Sequence, residues 1–237
     1  MLAIWTLASQ LTERPQTLPA PWVVAARIWS LAASGELWFN MGMTLLRVLA
    51  SFVIAMTVGT ALGLWMGRSR PADHWLNPLL VIALNIPALV TIVLAYIWIG
   101  LNEVAAIAAV ALNKIPVVTV MLREGARALR PDLDDMATGF RMAPLARLRH
   151  VVLPQLAPHI AAAARAGISL IWKIVLVVEF LGRSNGVGFK IHLLFSSFDV
   201  AGVLAWSLSF VAIMLLIDML ILRPWEARAN RWRHDET

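Results

Sequence analysis

The chain has 237 residues, 60% of them hydrophobic and 14% charged, with no cysteine and a net charge of +6; its mean hydropathy is +0.75. A soluble domain carries roughly a quarter charged residues, so a soluble fold is excluded, and the missing cysteines exclude a disulfide framework or a thiolate metal site. The positive balance fits lipid rather than nucleic acid, because cytoplasmic loops of membrane proteins collect Lys and Arg, and 11 Trp against 1 Tyr suit membrane interfaces.

Residues 1–11, MLAIWTLASQL, are apolar but too short to cross a bilayer, and they lack the basic start of a signal peptide. They are either the back half of a truncated first span or a short helix lying partly in the interface. Residues 18–37 repeat apolar side chains at helical spacing (Trp22, Val23, Ala26, Trp29, Leu31), interrupted by Arg27 and Glu36 and bracketed by Pro21 and Gly35. This pattern predicts an amphipathic helix on the membrane surface rather than a span. A spanning helix needs about 20 mostly apolar residues, and five stretches supply them: 41–67, 75–100, 103–122, 159–181 and 200–222. The prediction is an all-α integral membrane protein, a polytopic helix bundle of five spans plus a short or truncated first one, forming a single transmembrane domain over 1–237.

The arginines orient it. Arg68 and Arg70 follow the first long span, six arginines lie between 123 and 149, and Arg223, Arg228, Arg231 and Arg233 close the chain; the loops near 101–103 and 183–190 are poor in basic residues. The positive-inside rule puts 68–74, 123–158 and 223–237 in the cytoplasm and 12–40 outside.

The longest cytoplasmic segment contains DDMATGFRMAPLARLRHVVLP, residues 134–154. Pro131 and Pro144 are each placed to start a short helix, and Asp132, Asp134 and Asp135 occupy the first turn of the earlier one, where negative charge suits the helix dipole. By composition alone this is either a docking surface or a solvated loop. Phe140 and Met142 are apolar on a polar loop and are candidate knobs for a partner's groove, the competing reading being that they pack back on their own bundle.

The passage resembles the cytoplasmic "EAA" loop of permeases in binding-protein-dependent ABC transporters, which reads Glu-Ala-Ala, three residues, Gly, nine residues, then Ile-x-Leu-Pro. Leu153-Pro154 matches the close and Val151 stands at the Ile position; counting back, Asp135-Met136-Ala137 falls on Glu-Ala-Ala and Arg141 on the Gly. The flanks LPAPWVVAARIWSLAASGELW, TLLRVLASFVIAMTVGTALGLWMGRSR and WKIVLVVEFLGRSNGVGF look like the nitrate/sulfonate/taurine branch of that family. The resemblance implies the type I ABC importer permease fold in the bacterial inner membrane. Its implied partners are a cytoplasmic ATPase dimer that binds the ATP, an external solute-binding protein and a second copy of the permease. It also implies inward transport of a small solute (sulfonate, nitrate, taurine or a vitamin precursor) by alternating access. Asp135, Met136, Ala137, Gly139, Phe140, Arg141, Met142, Ala143 and Pro144 would meet the ATPase, with Ala137, Gly139 and Ala143 allowing close approach and Leu153-Pro154 fixing the loop against the next span. Arg141 departs from the pattern, since a long cation at the Gly position opposes a tight turn unless Gly139 takes the role. The chain has no Gly-x-x-x-x-Gly-Lys-Ser/Thr phosphate cradle, which fits a permease that borrows its ATPase.

Ionisable residues within spans are functional candidates by default. Arg47 is expected to snorkel at the end of its span. Lys114 and Lys173 are candidates to meet an anionic cargo, the alternative being polar contacts between spans or subunits. Glu179 is either structural or a ligand contact, and it is not expected to pair with Lys173, six residues away. Asp218 is placed to pair with Arg223. Asn85 and Pro87 interrupt the 75–100 span, which marks it as a pathway wall. The stretch Gly59–Gly63 suits close helix packing within the subunit. A membrane enzyme is disfavoured because all five histidines fall in loops or at span ends. No catalytic or metal site is expected. The membrane component of an energy-coupling-factor vitamin transporter is the main alternative, and a channel is the third.

Overall fold

The computed structural model describes residues 2–11 and 17–224. The predicted tail arginines Arg228, Arg231 and Arg233 lie outside the described residues. Eleven α-helices follow in chain order: α1 (Leu2–Leu11), α2 (Pro21–Ala33), α3 (Glu36–Arg68), α4 (Arg70–Asn85), α5 (Ala88–Ile99), α6 (Glu103–Arg127), α7 (Pro131–Gly139), α8 (Pro144–Arg147), α9 (Leu153–Gly182), α10 (Val187–Ser196) and α11 (Val200–Ile217). π-helical turns at Leu148–Val152 and Asp218–Leu222 continue α8 into α9 and extend α11. No strand occurs among the described residues.

Four helical stretches are long and apolar enough to cross a membrane: Glu36–Arg68, Glu103–Arg127, Pro144–Gly182 and Val200–Ile221. The expected 75–100 span is a bent pair instead. α4 and α5 meet at 96°, and the number of spans reaches five if the pair counts as one. The cause is local. Pro87 has no N–H to continue the helix, and the residue before a proline is pushed out of the helical region. Ile86 accordingly sits at φ −73°, ψ 121°. Asn85 turns its amide back onto the Val81 carbonyl at 2.8 Å, closing α4.

The chain divides into two compact units, with the divisions falling inside α3, α5, α6, α9 and the Asp218–Leu222 turn. The first comprises residues 1–50, 92–110 and 172–218. Its apolar core joins Val24 and Leu31 of α2, Leu37 and Met41 of α3, Val187 of α10, and Ala205, Trp206, Phe210 and Met214 of α11. α2 is a helix where the spacing predicted one, but its inward face differs from the expected stripe. Val24 and Leu31 are buried, whereas Trp22, Val23 and Trp29 are exposed. α2 starts with Pro21 at its first turn, and Gly35 at φ +80° turns the chain into α3.

The second unit comprises 51–91, 111–171 and 219–237. Val118 and Leu122 of α6 pack with Val152, Leu156 and Ala163 around the start of α9. Here α3 lies tightly on α6. A Cβ at Gly59 would stand 2.7 Å from Val118, one at Gly63 2.7 Å from the Thr119 carbonyl, and one at Gly67 2.5 Å from the Ala126 Cβ. The small-residue run is therefore a packing stripe within the subunit, as its spacing suggested.

Candidate functional site

The loop that the arginine pattern assigns to the cytoplasm folds into the two short helices expected, each opened by proline at its first turn, Pro131 for α7 and Pro144 for α8. Between them the backbone makes a Schellman stop. Arg141 N–H donates to the Thr138 carbonyl and Met142 N–H to the Ala137 carbonyl, both at 3.0 Å. That motif requires a left-handed residue directly after the cap, a role glycine fills without strain. Here Arg141 fills it at φ +46°. The expectation that a shifted turn would use Gly139 is corrected, since Gly139 is the last helical residue of α7. A Gly position in the loop pattern thus has a physical meaning, and this chain accepts the strain of an arginine there.

One carboxylate ties the loop down. Asp134 accepts from Arg147 Nε at 2.8 Å and from Arg68 Nη2 at 2.8 Å, so it joins α7 to α8 and to the end of α3. The Arg147 hydrogen bond, aided by Arg68, holds the Asp134 carboxyl below its ordinary range against the opposing effect of desolvation. Asp132 is held low by Arg130 in the same way. Alongside, Arg123 donates to Asn77 at 2.7 Å and Arg127 to Asp73 at 2.5 Å, so arginines that the topology rule counts as free charge are partly neutralised by α4.

What remains outward is apolar. Phe140 is 79% exposed, Leu145 75% and Met136 44%. Met136 and Phe140 are four residues apart and share a face. Phe140 therefore does not pack back on its own bundle, and Met142 is half-buried. Asp135, Gly139, Ala143 and Pro144 are exposed beside them, and Asp135 has no hydrogen bond or ion pair among the described residues. Two expectations fail. Ala137 is buried against its own chain and offers nothing to a partner, and Leu153 and Pro154 are exposed, so Val151, Val152 and Leu156 anchor the loop instead. Sequence reasoning missed Asp134, although its place in the first turn of α7 and the arginines on either side were visible. It also passed over Leu145.

Within the first unit lies a second polar assembly. Arg47, predicted to snorkel, is 1% exposed. It forks onto Glu103 at 2.8 and 2.6 Å, donates to Glu179 Oε1 at 2.6 Å and to the Asn185 carbonyl at 3.0 Å, and meets the Asn185 side chain as well. Snorkelling fails because α6 and α9 bring carboxylates to the guanidinium, removing any need to reach water. Glu179 is fully buried and also accepts from Thr44 and from Gly188 N–H at 2.9 and 2.8 Å. Its assignment to the pathway is therefore corrected; its carboxylate is structural. Arg183 adds 2.5 Å to Glu103 and 2.8 Å to the Leu101 carbonyl. Two arginines and two glutamates leave the assembly neutral, which is how buried charge is tolerated. It bolts α3, α6, α9 and the 183–188 turn together.

The other pathway candidates are separate. Asn85 and Pro87 lie exposed at the α4–α5 break. Lys173 is exposed, with its ammonium 5.6 Å from the Trp172 ring. Lys114 is 7% exposed near the middle of α6. Insertion scales put a lysine at the centre of a spanning helix at about 3 kcal/mol unfavourable. Arg165, within α9, is an in-span cation that sequence reasoning left out.

These features define a class. The chain is a multi-pass helical membrane protein carrying a braced helical hairpin with an exposed apolar face. Residues 59–223 match the family described as binding-protein-dependent transport system inner membrane component, and the chain belongs to that family. Among similar proteins, SsuC of Escherichia coli (strain K12), a permease named for aliphatic sulfonates, is 32% identical over 190 residues, covering 80% of this chain and 72% of that protein. The taurine transport system permease protein TauC of the same strain is 24% identical over 233 residues, covering 96% and 84%. The bicarbonate transport system permease protein CmpB of Synechococcus elongatus is 27% identical over 197 residues, covering 82% and 70%. Two solved structures share the fold. An amino acid ABC transporter has a TM-score of 0.67 at 20% identity, covering 85% of this chain and 98% of that one. The MetNI methionine ABC transporter, in inward-facing conformations, has a TM-score of 0.63 at 18% identity, covering 80% and 94%. The chain is thus an inner-membrane ABC importer permease of the nitrate/sulfonate/taurine branch, a transport subunit and not an enzyme. Family membership implies an ATPase and a solute-binding protein as partners. The energy-coupling-factor alternative is not favoured.

Proposed function

We propose that two copies of this permease form a pathway that moves a small solute of the sulfonate, taurine, nitrate, bicarbonate or vitamin-precursor kind into the cell by alternating access. Sulfonate, taurine and bicarbonate come from the names of the relatives, and nitrate and vitamin precursor from the branch that the sequence resembles. An external binding protein delivers the solute, and ATP binds and is hydrolysed on a separate cytoplasmic ATPase dimer. The ATPase docks on the α7–α8 hairpin, with Phe140 as the knob, Met136 and Leu145 beside it, and Asp135 offered to a partner cation.

The observation that carries this reading is Phe140. A 79% exposed aromatic side chain stands on a hairpin braced by Asp134, in the segment that the positive-inside rule assigns to the cytoplasm. A large apolar side chain on a braced polar hairpin suits a partner's groove. The test is to tag the chain, extract it gently from its native membrane and identify the co-purifying proteins. A nucleotide-binding subunit is expected with the native chain and is expected to be lost from Phe140→Asp, with membrane insertion unchanged. Retention of the ATPase by Phe140→Asp at native yield overturns the docking assignment.

A further inference from the structure

Lys114 is a buried charged side chain that the assemblies above leave unused. It stands near the middle of the 25-residue helix α6, where a spanning helix is deepest in the bilayer. It falls on the same face as Val118 and Leu122, four and eight residues on, which point into the core of the second unit. Carboxylates neutralise intramembrane cations elsewhere: Glu103 serves Arg47 and Arg183, and Glu179 serves Arg47. None serves Lys114. Among the described residues its ammonium has no hydrogen bond and no ion pair. It is also not sealed in. Among the described residues, the one fully buried side-chain nitrogen without a partner is Nε of Arg183, so the small exposed part of Lys114 includes its charged end. Lipid is a poor neighbour for such a group, and a water-filled route is a good one.

From this placement we propose that Lys114 meets the solute, and that the group it meets is an anion, a sulfonate or carboxylate-like oxyanion passing mid-membrane. The proposal rests on the importer reading and adds to it the charge of the cargo and the residue that recognises it. An unpaired lysine is a compact point charge with three donors, suited to a tetrahedral or planar oxyanion in transit. A pre-formed carboxylate partner would compete with the cargo, and none is built.

The chain has no cysteine, so Val117→Cys, one turn from Lys114, supplies its sole thiol. In the complete transporter complex, this thiol is titrated with two methanethiosulfonates of similar size, one bearing an ethylsulfonate and the other an ethyltrimethylammonium, and modification of this chain is followed by mass. The expected result is a roughly tenfold faster reaction with the sulfonate reagent. Lys114→Met is expected to abolish the preference and Lys114→Arg to keep it, a tenfold ratio corresponding to about 1.4 kcal/mol. No modification by either reagent, or an equal ratio with Lys114 present, overturns the proposal. So does a disulfide between two Lys114→Cys copies, which would mark a subunit contact. Stimulated ATP hydrolysis is measured in the same complexes. Hydrolysis retained without an anion preference sinks Lys114 alone, whereas absence of any ATPase subunit sinks the importer reading itself.

Discussion

Arg47→Met tests the buried assembly most directly. The substitution keeps length and apolar stem while deleting every guanidinium bond. Glu103 suffers little, because its side chain is 40% exposed and Arg183 still reaches it. Glu179 suffers most. Its Oε2 keeps Thr44 and the Gly188 amide, but Oε1 loses the Arg47 contact, and the residue is fully buried. Breaking one side of a buried pair costs about 3–5 kcal/mol, because the surviving charge is stranded. Removing both charges avoids that penalty, so Arg47→Met/Glu179→Gln is expected to recover at least about half the loss. Glu103→Gln, acting on a partly solvated group, is expected to cost about 1 kcal/mol or less. The assay is reversible unfolding of the purified chain in mixed micelles with increasing dodecyl sulfate, followed by tryptophan fluorescence and helical circular dichroism. An Arg47→Met variant within about 1 kcal/mol of wild type, or a double variant less stable than the single, would falsify the claim that Glu179 depends on this arginine.

Other expectations follow from single contacts. Arg141→Gly removes left-handed strain that costs an L-residue roughly 1–2 kcal/mol but loosens the unfolded chain by about 0.4–1 kcal/mol; a net gain between about 0 and 1.6 kcal/mol in the same unfolding assay is expected, and a loss would contradict the Schellman assignment. Gly188→Ala would place a Cβ 2.2 Å from the Leu176 carbonyl and 2.7 Å from the Glu179 Cβ; crowding of this kind costs about 1–3 kcal/mol, whereas Gly139→Ala, with nothing within 4 Å, is expected to be harmless. Because the folded-state pKa of Asp134 is depressed below its ordinary 3.8, its contribution is complete above that value and fades as pH falls through the lower folded value. Amide-exchange protection of residues 131–148, corrected for intrinsic rates, is therefore expected to hold from pH 8 to 5 and to drop only below about 3.8, and Asp134→Asn is expected to remove most of that dependence.

Much was legible before any coordinates. The apolar lengths marked the long helices, and Pro131 and Pro144 placed both loop helices to the residue, because a proline's fixed φ and missing N–H act locally whatever surrounds it. The register from Asp135 to Leu153-Pro154 identified the loop for the same reason: it is a pattern along the chain.

Partners distant in sequence were not legible. Arg47 read as a snorkelling cation because its acceptors lie 56 and 132 residues away. Glu179 read as a pathway residue because nothing nearby in the chain announces Arg47 or Thr44. Hydropathy gave the 75–100 segment the length of one span, while the geometry at Ile86-Pro87 split it at 96°. Composition and local stereochemistry thus determined that the chain lies in a membrane and where its loop helices begin. Which charges are spent in pairs, and that the buried Lys114 is not among them, was decided only by the tertiary structure, because neutralisation is a matter of distance in space and not of spacing along the chain.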